Sequence, residues 1–346
     1  MSQPTTVTLA DVARRARVSP ATASRVINGS PKPIADELRA RVLRAVADLN
    51  YVPNAHARML ARAERGAVGV IVHDVSDPYF AEITRGLQRV AIERGALLVI
   101  CNTYRDPARE REYVELLRAQ RVSAIVLAGS GYHEVRATQQ LNASLETFQR
   151  GGGRVAVIGR HSLTGHAIQP ANTDGARLVG QYLFRLGHKA IGVVAGPKQL
   201  TTTTDRLAGL RAAATSSGRT VPARRIVYTD FTRDGGASAA AQLLDAEPGL
   251  TALVAQNDAM AIGVLAVARA RGIAVPEQLS VVGFDDMPIA QDLVPPLTTV
   301  RLPMVEMGAR ALTLALDHQP GAEPVTETAA ATLVVRASTA RPADRG

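Results

Sequence analysis

Two hydrophobic rhythms divide the chain. As far as about residue 50, apolar side chains recur every three to four positions, the rhythm of helices. From Val68 onward, short unbroken apolar runs alternate with amphipathic stretches, the rhythm of buried parallel strands and crossover helices. In the first part, Leu9, Val12, Ala13 and Ala16 share one helical face. Thr8 stands where it can cap that helix, with Asp11 three residues on to complete a capping box. Ser19-Pro20 then supplies a capping hydroxyl followed by a proline at the first helical position, where its missing N–H is harmless. That second helix is expected to run to Ile27 or Asn28 and stop at Gly29. A third spans about 35 to 50, with Leu38, Val42, Ala45, Val46 and Leu49 inward.

The second helix carries two faces. Ala23, Val26 and Ile27 point to a small core, while Pro20, Ala21, Ser24, Arg25 and Asn28 recur on the outside. A short helix, a tight turn and a second helix with small residues at its leading end describe a helix-turn-helix. Small side chains let such a helix sit deep in the major groove. There Arg25 can fork to guanine O6 and N7, and Pro20 and Ala21 can offer apolar contact to a thymine methyl. Thr8, Ser19, Thr22, Ser24 and Asn28 complete the set of head residues expected on DNA.

The second part reads as an α/β domain. The runs VGVIV, ALLVIC, SAIVLA, RVAVIG, AIGVVAG, RIVY, TALVA and LSVVGF are eight expected strands. Amphipathic segments 80–94, 107–120, 174–186, 205–216, 236–246 and 258–271 lie between them. Eight strands exceed one comfortable sheet and the pattern restarts near residue 170, so two doubly wound lobes are expected. The late segment 293–316 crosses back to the first lobe. Such lobes bind small molecules where the strands end, in the cleft between them.

Composition sharpens this picture at three points. The chain has 346 residues and a net charge of +9. Residues 1–65 alone hold eleven Lys/Arg against five Asp/Glu, so a net +6 sits in the first fifth of the chain, as in a nucleic-acid binder. The single cysteine, Cys101, excludes an intrachain disulfide framework and the usual zinc clusters, and is expected as a buried strand thiol. Neither a secretory signal nor an 18-residue apolar run is visible, so a cytoplasmic protein without a membrane span is expected.

The stretches VTLADVARRARVSPATASRVING and LNYVPNAHARMLA resemble the DNA-binding head of the lactose-repressor (LacI/GalR) family of bacterial regulators. GVIVHDVSDPYFAEITRGL, RLGHKAIGVVAGP, DRLAGLRAA, NDAMAIGVL and SVVGFDD resemble that family's periplasmic-binding-protein-like sensor, so the resemblance covers nearly the whole chain. Two positions depart from the pattern. Arg17 stands in the turn where glycine is usual, which puts an arginine in a conformation glycine prefers. Ala23 replaces a larger valine and thins the core of the head.

The resemblance implies a division into a helix-turn-helix domain at 1–52, a hinge at 53–66 and a sensor at 67–346. The sensor's first lobe is taken as about 67–168 with 295–330, and its second as about 169–294. The hinge is too short to be helical alone in water, yet it carries the apolar Met59 and Leu60 with no obvious core nearby. In the family this segment folds on DNA, paired across a dimer. Leu60 would then wedge into the central base step from the minor groove, with Asn54 and Arg58 beside it on the DNA.

The resemblance also implies the effector-binding residues. Arg206 can fork to neighbouring hydroxyls or a carboxylate, Asp285 can accept from hydroxyls, and Asn257 offers both a donor and an acceptor. Phe231, Tyr79 and Phe80 are three of only twelve aromatics, and would form a stacking surface. His73, Arg160 and Thr202 complete the set, while Asp286 and His188 are read as structural.

Rival classes have specific weaknesses. An enzyme is disfavoured because P-loop, G-x-G-x-x-G, G-x-S-x-G and H-E-x-x-H motifs are all missing. The basic head argues against a periplasmic solute-binding protein. A sequence-independent DNA-compacting protein would select no preferred site. The expectation is a dimeric repressor of palindromic operator DNA, modulated by a small-molecule effector such as a sugar or sugar derivative, with neither cofactor nor metal.

Overall fold

The computed structural model describes residues 7–28, 34–51, 66–319 and 321–343. The chain divides into two compact units, Met1–Gly66 and Ala67–Gly346.

In the first unit, α1 (Leu9–Ala16), α2 (Pro20–Asn28) and α3 (Asp36–Asp48) enclose a core of Val12, Ala13, Ala16, Ala23, Val26, Val42 and Ala45. The capping box at Thr8 is closed: the Thr8 amide donates to Asp11 Oδ2 at 2.9 Å, and the Asp11 amide to Thr8 Oγ1 at 3.4 Å. Arg17 does adopt the left-handed conformation, with φ 52° and ψ 49°. The turn is tied down from α3, whose Arg41 Nη2 donates to the carbonyls of Ala16 at 2.6 Å and Arg17 at 2.9 Å. Ser19 Oγ accepts from the Thr22 amide at 3.1 Å and so caps α2. α3 is shorter than the expected span, because Asn50 turns left-handed at φ 45°.

The second unit holds two parallel sheets. Elements of the first are β1 (Val68–Val72), α4 (Pro78–Glu93), β2 (Leu98–Asn102), α5 (Pro107–Ala119), β3 (Ala124–Ala128), α6 (Val135–Arg150), β4 (Arg154–Ile158) and β5 (His166–Pro170). With β11 (Thr326–Ala329) they order as β11-β5-β4-β3-β1-β2. The second sheet, β7-β6-β8-β9, is built from β6 (Ile191–Ala195), β7 (Ile226–Tyr228), β8 (Ala252–Ala255) and β9 (Ser280–Val282). Around it run α7 (Asn172–Leu186), α8 (Thr201–Ser216), α9 (Arg233–Ala246) and α10 (Asp258–Ala270). β10 (Thr299–Arg301) pairs antiparallel with β12 (Thr332–Val334) and is bridged to the end of β9 through Thr298 and Val282. The return to the first sheet is made by α11 (Met304–Asp317), which packs on α4 and β4.

Four strands and one helix extend the sequence expectation. β5, β10, β11 and β12 lack apolar runs because each is only partly covered; β5, for example, is HAIQP. α6 escaped notice because it buries only Leu141, Leu145 and Phe148 on an otherwise polar sequence. Cys101 is half-buried rather than buried, since β2 is the outer strand of its sheet.

Two helix pairs share one packing device. A Cβ on Gly86 of α4 would run into the carbonyl of Val305 on α11, and one on Gly308 of α11 into the carbonyl of Ile83. Gly236 and Gly263 stand in the same relation between α9 and α10, whereas between α7 and α8 only Gly209 meets a backbone carbonyl, that of Thr173, and Gly180 meets the side chain of Ala213. Glycine on both partners lets the backbones approach to a distance that any side chain would forbid.

Candidate DNA-reading helix and effector cleft

On α2, Pro20, Ala21 and Arg25 are exposed, while Thr22 and Ser24 are half-buried. Ser19 and Thr22 are joined through their hydroxyls at 2.8 Å, so part of their hydrogen-bonding capacity serves the start of the helix. Arg14 is paired with Asp11 at 2.5 Å and Arg15 with Asp48 at 3.1 Å, whereas Arg25 makes no ion pair among the described residues. The side chain of Asn28, together with Asn54, Arg58 and Leu60, lies outside the described residues.

The effector residues fall at the C-terminal ends of strands from both sheets. His73 follows β1, Phe231 follows β7, Asn257 follows β8 and Asp285 follows β9. They converge on one narrow cleft that is also lined by Tyr79, Phe80, Thr202 and Arg206. Arg160 is the exception. It opens onto a neighbouring cavity, with its guanidinium bound to both oxygens of Asp205 at 2.8 and 2.9 Å.

One wall is organised by Arg206 of α8. Its Nε donates to Asn172 Oδ1 at 2.9 Å, its Nη2 to Asp285 Oδ1 at 2.9 Å, and its Nη1 to the carbonyl of Gln256. The guanidinium also stacks on Phe284, 3.7 Å from the ring centre. Burial pushes the Asp285 carboxyl up to about 7; Arg206 opposes the rise and the charge of Asp77 adds to it. The backbone of Asp285 is left-handed at φ 104°, a conformation that costs energy outside glycine and so marks a constrained position. Asp286 turns the other way, into ion pairs with Arg301 at 2.6 Å and Arg336 at 2.7 Å, which is the structural role expected of it. Asn257 caps α10 by accepting from the Met260 amide at 2.8 Å.

The opposite wall comes from the first sheet. Phe80 meets the ring of Tyr79 edge-on at 5.1 Å and that of His73 at 5.6 Å. His73 Nε2 lies 3.2 Å from Glu110 Oε1, which also accepts from the Tyr132 hydroxyl at 3.3 Å. Burial, with Asp285 nearby, holds the Tyr79 hydroxyl above its ordinary range, so it is a neutral donor. Ser130 Oγ donates to Thr202 Oγ1 at 2.6 Å at the edge of the cleft. His188 is remote and structural, held by Thr251 Oγ1 at 2.9 Å and the carbonyl of Ala340 at 3.0 Å.

The sequence reading missed Asp77, Arg105 and Ser130, which also line the cleft. Their signal was positional. Arg105 and Ser130 lie two or three residues beyond the ends of β2 and β3, and Asp77 caps α4 with a carboxylate that accepts from the Tyr79 amide at 3.0 Å.

A helix-turn-helix unit followed by a two-sheet binding domain defines a ligand-responsive DNA-binding regulator. Residues 8–54 match the family described as bacterial regulatory proteins, lacI family, and residues 181–339 match a periplasmic binding protein-like domain. The chain is 36% identical to the HTH-type transcriptional regulator GalR of Escherichia coli (strain K12) over 340 residues, covering 97% of this chain and 96% of that protein. It is 34% identical to the HTH-type transcriptional repressor CytR of the same organism over 321 residues, 92% of each chain. Among solved structures, the lac repressor bound to ONPG in the repressed state superposes with a TM-score of 0.83 at 27% identity, over 96% of this chain and 99% of that one. A complex of the transcriptional regulator CelR with cellobiose gives 0.70 at 31% identity, over 96% and 99%. The chain belongs to the lacI family of bacterial regulatory proteins.

Proposed function

We propose that the chain acts as a dimeric repressor in which α2 reads one operator half-site and the cleft holds the effector, a sugar or sugar derivative. The carrying observation is the convergence of eight implied effector residues, from both sheets, on one cleft. Arg206 and Asp285 would bind hydroxyls, and Phe231, Tyr79 and Phe80 would cover apolar ring faces. Arg160 has its guanidinium committed to Asp205, so its part would be to hold the two lobes rather than to touch the ligand.

Pairing of two copies is supported by apolar exposure along β2, the free edge of the first sheet. Leu97 is 66% exposed and Ile100 43%, with Ile92 and Leu116 flanking them. The hinge, with Asn54, Arg58 and Leu60, would kink the operator centre, and effector binding would change the population of DNA-competent dimers. We read the cleft as a binding site without turnover and the protein as cytoplasmic, where operator DNA is. No helix among the described residues is long and apolar enough to cross a membrane.

The test is selection of binding sites from random DNA by the full chain, followed by titration of the selected site with and without a panel of sugars. A palindromic consensus whose affinity changes with one sugar is expected. A ligand that binds the cleft yet leaves operator affinity unchanged would refute the regulatory link, and the absence of any consensus would refute specific reading.

A further inference from the structure

Beside the effector cleft lies a second cavity, of about 380 Å³, the size of a small-molecule site. It is framed by the first halves of α5 and α6 and the loops that follow β3 and β4, with one residue, Thr201, from the second lobe. It shares no lining residue with the cleft. Glu110 and Tyr132 form the partition. Glu110 Oε1 accepts from the Tyr132 hydroxyl at 3.3 Å and lies 3.2 Å from Nε2 of His73, which belongs to the cleft.

Two features of this lining are left open. Glu110 is only 5% exposed, yet its second oxygen, Oε2, has no hydrogen bond among the described residues. A carboxylate only accepts, so a buried oxygen without a donor marks the place of an N–H or O–H that a ligand brings. The second feature is the start of α6. Its N-cap residue, Glu134, makes no side-chain cap, and the amides of Val135, Arg136 and Ala137 find no acceptor among the described residues. Val135 and Ala137 line the same cavity. Free amides at a helix start carry the positive end of its dipole and favour a carboxylate. The other polar groups are engaged: Arg160 holds Asp205, His161 Nε2 meets the Gly129 carbonyl at 2.8 Å, and His133 Nε2 meets Thr204 Oγ1 at 3.2 Å.

We infer that this cavity is a second binding site, for a small amino carboxylic acid whose ammonium meets Glu110 Oε2 and whose carboxylate meets the free amides of α6. An acceptor at one place and a set of donors at another ask for a ligand of opposite polarity at its two ends. A simple anion leaves Glu110 Oε2 unpaired in the same cavity, and a simple amine leaves the amides open. A neutral polyol can donate to Glu110 but gains little from the helix start, which rewards negative charge. Val135, Leu141 and Leu163 supply apolar surface for the rest of the ligand. Because Glu110 also contacts His73, this site and the cleft meet at one carboxylate.

The experiment is calorimetric titration of the full chain with the common L-amino acids, β-alanine, 4-aminobutanoate and 5-aminopentanoate. Each binder is compared with its N-acetyl and carboxamide derivatives, which remove the ammonium and the carboxylate in turn. At least one amino acid is expected to bind, and both derivatives to bind at least about tenfold more weakly. Glu110→Gln is expected to lose about tenfold for the free amino acid while binding the N-acetyl form as the parent does. Val135→Pro removes one free amide at the first helical position, where proline is tolerated and where the preceding Glu134 is already extended. It is expected to weaken the free amino acid about threefold or more while leaving the carboxamide unchanged. Thermal unfolding verifies that each variant folds, and the comparison of derivatives on the parent decides the matter where one does not. Failure of every amino acid to bind the parent overturns the proposal. So does a derivative that binds as tightly as the free amino acid, or an affinity unchanged in both variants, which would place the ligand elsewhere.

Discussion

Nη2 of Arg206 and Oδ1 of Asp285 meet at 2.9 Å with only 5% and 4% of their side chains exposed. The arginine sits on α8 and the aspartate at the end of β9, so the pair fixes the wall of the cleft and the local fold together. Replacing one member strands the other. Arg206→Met keeps much of the stem but leaves Asp285, Asn172 Oδ1 and the Gln256 carbonyl without their donor. A loss of roughly 3–5 kcal/mol is expected, as for a buried ion pair broken on one side. Urea unfolding of parent and variant measures it, and a loss below about 1 kcal/mol would show that water replaces the guanidinium freely.

The raised carboxyl of Asp285 makes a signed prediction about pH. Its ordinary value is 3.8 and burial pushes it up to about 7, so the effector-free folded protein holds this proton more tightly than the unfolded chain. The stabilising contribution is complete below about pH 4 and is lost as pH rises to about 7. Burial raises Asp77 and Asp258 as well, which acts in the same direction. A ligand hydroxyl that donates to Asp285 favours the ionised form, in opposition to burial and with Arg206 in support. Sugar binding should therefore strengthen between pH 6 and pH 8 and release a proton. Titrations in buffers of different ionisation enthalpy count that proton, and Asp285→Asn should flatten both dependences. A pH-independent affinity in the parent would set this account aside.

The glycine crossings make a packing prediction that owes nothing to the ligand. A side chain on Gly308 has nowhere to go, because the obstacle is the carbonyl of Ile83, which α4 cannot move without shifting the helix. Gly308→Val is expected to cost roughly 1–3 kcal/mol or more through overpacking. Gly249→Ala is the control: nothing lies within 4 Å of the added carbon, and the change should be neutral or stabilise by up to about 1 kcal/mol. Equal melting temperatures for the two variants would mean that α4 and α11 slide apart at little cost.

Strong periodicity and strand ends were what the sequence made legible. The eight apolar runs are all strands, and Thr8, Ser19 and Arg17 behave as their side chains and the turn require. Elements that bury little were invisible, because α6 and β5 take their place from neighbours rather than from a pattern of their own. The cleft was legible at His73, which directly ends β1, and at Asn257 and Asp285, which lie two and three residues beyond β8 and β9 within stretches that carry the family resemblance. Arg105, also three residues beyond its strand, was not, because it lies outside those stretches and no residue type announces the turn in which Tyr104 and Arg105 are left-handed at φ 53° and 61°. The helix pairings were hidden for another reason: a glycine in a helix reads as a weakness until the opposing glycine is placed against it.

The arginines of the head are separated by their partners. Arg14 and Arg15 are engaged with Asp11 and Asp48, whereas Arg25 is exposed on the face of α2 that also carries Pro20 and Ala21. A guanidinium that makes no ion pair among the described residues has none to break when it turns toward a base, so Arg25, the arginine of α2, is suited to reading. Arg25→Ala is expected to cost about 1–3 kcal/mol on the selected operator and to relax the preference at one position in each half-site. Arg15→Ala is expected to act differently, weakening all sequences alike and reducing the salt slope by about one. Repeating the random-DNA selection with each variant, and titrating at two salt concentrations, separates the two roles. If Arg25→Ala returned the parental consensus with only the salt slope changed, Arg25 would be a phosphate contact and the reading of sequence would fall to the other exposed positions of α2.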